Sequence, residues 1–226
     1  MNSTFIYTIS LLLISGIVLA ETETETDNQL WTSAGIRYRP IKSWTIKGTQ
    51  NIRFDNNMSS FQSFKPQLEL SYSLYNWLEI GSGYRFAYEN DKDSEVVTSH
   101  RYHAQMVIER KWGLVKLSYR LRYQQKREIE DPDITAQIRN RIKLTYDTKT
   151  FCSPLFSAEV FADEAIETRK ARLTLGGSAK VSKSHRLFAV YQYQTRMSND
   201  EVDRIFLLKY EYRIPEKRDP EEQKNI

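Results

Sequence analysis

The sequence predicts an all-β chain closed into an antiparallel, up-and-down transmembrane β-barrel, and three observations carry that expectation. After Asp27, apolar and polar residues alternate with period two almost throughout, and no segment gives a convincing helical stripe. The alternating runs span roughly nine to twelve residues, the length of a tilted membrane-crossing strand rather than of a globular one. Tight turns alternate with longer, polar connections, as in outer-membrane barrels whose short turns are periplasmic and whose long loops are extracellular.

Composition fits this reading and excludes others. The 226 residues are 40% hydrophobic and 27% charged, with a net charge of +4. No internal stretch approaches the roughly 20 apolar residues of a spanning helix, which excludes a polytopic helical membrane protein. In a barrel only alternate residues face lipid, so a mean hydropathy of -0.61 is compatible with one. A single cysteine, Cys152, excludes an intrachain disulfide framework and a four-cysteine metal site.

Phe5 to Leu19 is apolar apart from Thr8, Ser10 and small residues, and Val18-Leu19-Ala20 fits a cleavage site. Residues 1–20 therefore read as a cleaved secretory signal peptide; an uncleaved anchor is the alternative, because Met1 to Thr4 carries no Lys or Arg. Residues 21–28 form an acidic segment, 29–214 the barrel, and 215–226 a charged tail. No cysteine follows the apolar run, so no lipid-anchored N-terminus is available.

Eleven strands are expected: Leu30 to Tyr38, Trp44 to Phe54, Phe64 to Leu74, Trp77 to Tyr88, Tyr102 to Lys111, Leu114 to Gln124, Ala136 to Tyr146, Phe156 to Asp163, Ala171 to Val181, Arg186 to Thr195 and Ile205 to Arg213. In the run from Leu114 to Gln124, Val115, Leu117, Tyr119, Leu121 and Tyr123 oppose Lys116, Ser118, Arg120, Arg122 and Gln124. Tight turns at Pro40 to Ser43, Tyr75-Asn76, Trp112-Gly113 and Ser182 to Ser184 recur about every 35 residues, a hairpin repeat. Longer polar loops are expected at Asp55 to Ser63, Glu89 to Ser99, Gln125 to Asp133, Glu164 to Lys170 and Arg196 to Asp203. Single-chain bacterial barrels have even strand numbers, so the expected total is about twelve, with Glu21 to Asp27 as a weak extra strand or a segment in the lumen. About ten strands and an odd count are the alternatives.

The polar face is strongly basic. It carries Arg37, Lys47, Arg53, Lys65, Arg85, Arg101, Lys116, Arg120, Arg122, Arg139, Arg141, Lys143, Arg172, Lys180, Arg186, Lys209 and Arg213 against Glu69, Glu79, Glu109, Glu159, Asp163 and Glu211. Aromatic residues crowd toward strand ends as interfacial girdles do: Trp44, Trp77, Trp112, Tyr123 and Tyr146 above all, with Trp31 counted among them. The last strand places Phe206, Leu208, Tyr210 and Tyr212 at alternate positions, which resembles the assembly signal of outer-membrane barrels. The charged tail departs from that pattern by continuing beyond it.

Several stretches resemble the DUF2490 family of uncharacterised bacterial outer-membrane proteins. They are Gln29-Leu30-Trp31-Thr32, Arg53-Phe54-Asp55-Asn56-Asn57, Gly81-Ser82-Gly83-Tyr84-Arg85-Phe86, His100-Arg101-Tyr102-His103 and Leu117-Ser118-Tyr119-Arg120-Leu121-Arg122-Tyr123. The resemblance covers Gln29 to about Ile214. It implies an outer-membrane barrel with no established activity, and so carries no catalytic residue.

The chemistry of the side chains gives an electrostatic reading. Arg120, Arg122, Arg139 and Arg141 lie on adjacent strands; with Arg37, Arg53 and Arg85 they are the candidates for anion binding in the lumen. The expected function is a small anion-preferring pore or a structural barrel. A lipid-modifying enzyme is the first alternative and needs His103 beside a serine and an acid. A soluble periplasmic barrel for an apolar ligand is the second and needs the Val115, Leu117, Tyr119 face to point inward. No catalytic constellation, cofactor or metal site is expected. The acids Glu89, Asp91, Asp93 and Glu95, and Glu128, Glu130, Asp131 and Asp133, read as a solvated rim, with weak divalent-cation binding as the alternative. The expected location is the outer membrane of a Gram-negative bacterium. Expected partners are its lipids and lipopolysaccharide, the barrel-assembly machinery and small anionic solutes, not nucleic acid.

Overall fold

The computed structural model describes residues 26–90, 95–131, 133–148, 150–197 and 201–215. The signal segment, residues 21–25 of the acidic segment, Asp91, Asp93 and the tail from residue 216 lie outside the described residues. The described chain is all β: β1 Thr26–Ile41, β2 Trp44–Asp55, β3 Ser60–Tyr75, β4 Leu78–Asn90, β5 Val96–Trp112, β6 Val115–Glu128, β7 Ile134–Tyr146, β8 Cys152–Ala162, β9 Thr168–Lys180, β10 His185–Arg196 and β11 Val202–Arg213. Each strand pairs antiparallel with its neighbours in sequence, and the sheet closes on itself.

The described sheet closes with eleven strands, the odd-count alternative in place of about twelve. β1 pairs with β2 on one side and with β11 on the other, so no ladder position remains for a twelfth strand. In an up-and-down chain an odd number of strands makes the first and last run in the same direction. The seam is accordingly parallel, from Thr26↔Val202 to Arg37↔Arg213. Thr26 and Asp27 of the acidic segment belong to β1 itself.

The loops are also shorter than expected. At the end where longer ones were anticipated, hairpin pairing continues through the polar residues and leaves connections of four or five residues, as in Asn90 to Val96 and Glu128 to Ile134. At the other end three connections have two residues, the length expected for two of them, while the β7–β8 and β9–β10 connections have five and four. One of the two-residue connections contains Gly113 at φ +56°, a left-handed value that glycine adopts without steric cost. In the β2–β3 connection Asn56, Asn57 and Met58 all have positive φ, and the Asn57 amide donates to Asp27 Oδ1 at 2.9 Å, fixing this loop to the start of β1.

The alternation sorts side chains into two environments. Along β3, Ser63, Lys65, Gln67 and Ser71 are 0–9% exposed, whereas Phe64, Leu68, Leu70 and Leu74 are 41–57% exposed. Every strand keeps this parity, with most polar and charged residues inward and most apolar residues outward; Trp31, Phe161 and Ile205 are apolar side chains on the inward rows. The Val115, Leu117, Tyr119 face therefore points out, and the inward-facing version required for a soluble apolar-ligand barrel is not the one the chain adopts. Among the described residues, formal charge on the outward rows is confined to Arg110, Arg127, Arg169 and Arg204, each within a few residues of a strand end.

The parallel seam makes Ala34 and Tyr210 direct neighbours on the outer surface. With Cys152→Ser removing the native thiol, Ala34→Cys and Tyr210→Cys are expected to join within one chain under a short bifunctional thiol reagent, read as a mobility shift on a denaturing gel. Products formed only between chains would contradict closure.

Candidate functional site

The lumen is organised by carboxylates placed where several arginines can reach them. Glu159 on β8 lies in register between Arg141 on β7 and Arg172 on β9. Its Oε1 accepts from Arg120 Nη2 at 2.5 Å and Arg139 Nη2 at 2.9 Å, while Arg172 approaches Oε2 at 3.8 Å. Without it the register would be hostile, since Arg120 faces Arg141 and Arg122 faces Arg139 directly across the β6–β7 ladder.

Glu69 on β3 performs the same task across a wider gap. The row Glu69, Gly83, His103, Gln124 runs straight across β3 to β6. Gly83 contributes no side chain, so Glu69 passes over β4 to meet Arg122 Nη2 at 3.2 Å and His103 Nε2 at 3.7 Å. A Cβ at residue 83 would lie 2.4 Å from His103 Cε1 and 2.7 Å from the Leu68 carbonyl oxygen. Gln67 donates to Glu69 as well, and Gln105 Oε1 accepts from Arg122. Nearer the two-residue turns, Glu211 takes Arg213 at 2.9 Å, Lys209 at 3.5 Å and Arg37 at 3.6 Å, offsetting the Arg37 and Arg213 pair in the seam.

Above this braced layer, toward the four- and five-residue loops, the lumen widens into a vestibule of about 1320 Å³. Nine Lys and Arg side chains line it against six carboxylates. The carboxylates are distributed unevenly. Asp203 accepts from Gln29 at 3.1 Å and from Gln194, and lies 3.6 Å from Arg196, which also pairs with Glu201. Glu89 pairs with Lys65, and Lys126 donates to Glu128 at 2.6 Å. None of them reaches Arg53, Arg85 or Arg101, which line the β2, β4 and β5 wall. Arg53 instead stacks 3.7 Å above the Trp31 ring, and Arg85 Nε donates to Gln67 Oε1 at 2.7 Å. The Nε atoms of Arg53 and Arg101 are buried without a hydrogen-bond partner.

The seven expected lumen arginines all face inward; six divide into two groups and Arg141 belongs to neither. Arg37, Arg120, Arg122 and Arg139 are committed to carboxylates. Arg53 and Arg85 line the vestibule beside Arg101, which parity placed on the polar face but which was not selected. Arg141 lies opposite Glu159 in register, with its Nε unpartnered. Trp31 is not in a girdle. It is 7% exposed inside the barrel, donates Nε1–H to Gln29 at 2.9 Å and lies between the guanidiniums of Arg53 and Arg172. Its odd number, shared with Arg37, was the available signal. The girdle candidates Trp44, Trp77, Trp112, Tyr123 and Tyr146 are all exposed on the outer surface, and Trp44 packs on Tyr72 and Trp77 on Tyr75.

His103 faces the lumen beside Glu69, and among the described residues no serine hydroxyl hydrogen-bonds to its Nε2. His100 and His185 point outward and pair with the hydroxyls of Tyr84 and Tyr210, each at 2.7 Å. Of the acids read as a rim, Glu89 and Glu128 turn inward onto lysines, while Asp131 Oδ1 accepts from the Asp133 amide at 2.9 Å. Asp163, expected within a strand, lies in the β8–β9 connection, where it accepts from Arg169 Nε at 2.7 Å and the Glu167 amide at 3.0 Å.

The fold and site define a closed β-barrel with a charged, internally paired lumen and an uncharged outer belt. The chain belongs to the DUF2490 family: the family model, described as a protein of unknown function, matches residues 28–204. That match runs from β1 into β11. No curated protein and no solved structure matches the chain.

Two substitutions test the braced layer. Glu159→Gln leaves Arg120 and Arg139 without their carboxylate and is expected to cost about 3 kcal/mol or more, read by denaturant unfolding of the refolded protein. Gly83→Ala is expected to destabilise comparably, whereas Gly48→Ala, where a Cβ meets nothing within 4 Å, is not. A third test concerns pH. Hydrogen bonding to Arg169 holds the exposed Asp163 carboxyl below its ordinary value, so its contribution is complete above the unfolded value and lost as pH falls through the lowered one. Hydrogen exchange should find the Glu167 amide protected down through the ordinary carboxylate range, relative to an Asp163→Ala variant, and deprotected below it.

Proposed function

We propose that this chain is an integral outer-membrane β-barrel of a Gram-negative bacterium, exported by a cleaved signal peptide. Its lumen is blocked at mid-height, and its wider mouth forms a vestibule for small anionic solutes. The observation that carries the reading is the outer belt: exposed Leu, Ile, Phe and Tyr side chains encircle the whole barrel, and charges on that surface occur only near strand ends. A soluble protein rarely exposes a contiguous apolar patch beyond a few hundred Å², whereas a lipid-facing barrel needs this band flanked by aromatic girdles. Strands of 11 to 17 residues are long enough to cross and to project beyond it.

The lumen contents support closure to ions. The vestibule lining reaches Trp31, Arg139 and Phe161 and includes none of Lys47, Glu69, His103, Arg122 or Glu211, which fill the barrel nearer the two-residue turns. This favours a binding or structural barrel over the anion-preferring pore that the basic stripe suggested. The reading contains no catalytic step. Its partners are outer-membrane lipids and lipopolysaccharide, the barrel-assembly machinery and the solute taken into the vestibule, with the two-residue turns toward the periplasm.

The test is planar-bilayer recording of refolded, signal-free protein, with insertion verified by protease protection in vesicles. The expected result is insertion without steady ionic conductance. Leu175→Arg, at a position 60% exposed on the outer belt, is expected to impair insertion, costing about 2–4 kcal/mol if it lies at the bilayer midplane. Discrete anion-selective steps would contradict the blocked lumen, and unimpaired insertion of the Leu175→Arg protein would contradict the lipid-facing belt.

A further inference from the structure

The lumen holds its arginines in two ways, and the difference is chemical. Those of the braced layer are held by carboxylates: Arg120 and Arg139 by Glu159, Arg122 by Glu69, Arg37 by Glu211. On the β2–β5 wall of the vestibule, Arg53 and Arg85 are held by neutral groups. Arg53 rests on the π-face of Trp31, and Arg85 is gripped by the side-chain carbonyl of Gln67. Trp31 is itself fixed through Gln29, which donates to Asp203 and Asp27. Arg101 stands directly across the ladder from Arg85, and among the described residues no carboxylate oxygen lies within 4.0 Å of Arg53, Arg85 or Arg101. A carboxylate partner fixes a guanidinium and cancels its charge. A neutral partner fixes it and leaves the charge in place.

Positioned, uncompensated guanidiniums in a confined cavity are costly unless an anion completes them. The nearest carboxylate along this wall, Glu89, is taken by Lys65. The remaining carboxylates of the vestibule lie mostly on β1, β11 and the rim. Lys126, Arg139, Lys170, Arg172 and Arg196 line the other walls, so this wall is distinguished by arginines that lack a carboxylate partner and not by holding all of the positive charge.

We infer that the Arg53, Arg85 and Arg101 wall of the vestibule is a binding site for a water-soluble small molecule carrying two phosphate-type oxyanion groups. Arginine forks match tetrahedral and planar oxyanions in a way lysine does not. Two adjacent groups are inferred because Arg85 and Arg101 are cross-strand neighbours able to share one oxyanion, while Arg53, two strands from Arg85 and four residues away in register, lines the same cavity and can take the second. The source is a free solute rather than a lipid headgroup, since all three side chains face the lumen and the outer belt between strand ends carries no cation.

The inference deepens the vestibule reading above and is tested independently of membrane insertion. Titration calorimetry of the refolded full-length chain in detergent, with pyrophosphate as the probe, is expected to give saturable binding at 150 mM NaCl. Methylenebisphosphonate should compete, and a single-charged anion such as nitrate should not. Arg85→Gln and Arg101→Gln are each expected to weaken binding by about tenfold or more, whereas Arg37→Gln, outside the vestibule, leaves it unchanged. Arg85→Lys and Arg101→Lys keep the charge and serve where a glutamine variant does not fold; both should also weaken binding, because the fork is lost. No saturable binding by folded wild-type protein, or equal weakening by Arg37→Gln, would overturn the site. Binding only when lipopolysaccharide vesicles are supplied would overturn the free-solute assignment. Ionic steps in the bilayer with an intact pyrophosphate titration would overturn the blocked lumen and leave this site standing.

Discussion

Closure between β1 and β11 is the constraint on which everything else depends. A strand edge exposes unpaired amides and carbonyls that neither lipid nor a folded surface tolerates for long. Pairing the first and last strands removes that edge and converts one alternating sheet into two separated environments. Because the chain has an odd number of described strands, the seam is parallel, and Arg37 and Arg213 meet across it. Glu211, 2% exposed and in contact with both, offsets their repulsion. The seam thus shows in miniature how the interior works: basic side chains are crowded together by the fold and held by a few shared carboxylates.

That crowding follows from the period of the strand. Once the apolar set faces outward, every intervening residue must fit inside, and the inward set here is long and cationic. Glu159 and Glu69 are effective because each serves several partners at once, and Gly83 makes this possible for Glu69 by leaving a gap in β4. Buried ion pairs of this kind are weak contributors to net stability compared with an apolar filling. Their value lies in fixing where each arginine points. The outcome is a lumen filled near the two-residue turns and hollow near the other mouth, with Arg53, Arg85 and Arg101 on one wall of the hollow part and no carboxylate within 4.0 Å of them among the described residues.

The strands and their parity were legible in the sequence. All eleven lie where alternation placed them, and each residue assigned to the polar strand face turns inward, apart from Asp163 in its loop. What misled was the rule of even strand number, which holds for many bacterial barrels but is not a geometric necessity once the seam can be parallel. The long loops were overestimated because polar, charged stretches such as Gln125 to Glu128 read as loop by composition, yet they still alternate and still pair. Trp31 was assigned to a girdle by residue type, against its own parity. The division of the arginines was not legible at all. It depends on which long side chains reach across one, two or three strands, and on a glycine whose significance is visible only in register.

The central claim is that the two faces of each strand meet lipid on one side and a water-filled or ion-paired interior on the other. The most direct measurement is spin-label accessibility along β3 in lipid vesicles, with single cysteines introduced from Ser63 to Leu74 in a Cys152→Ser background. A period-two pattern is predicted, with labels at Phe64, Leu68, Leu70 and Tyr72 relaxed by oxygen and shielded from a water-soluble nickel reagent, and labels at Lys65, Gln67, Glu69 and Ser71 shielded from oxygen. Labels at Leu68 and Leu70 relaxed by the nickel reagent as strongly as exposed loop sites would contradict a lipid-facing belt.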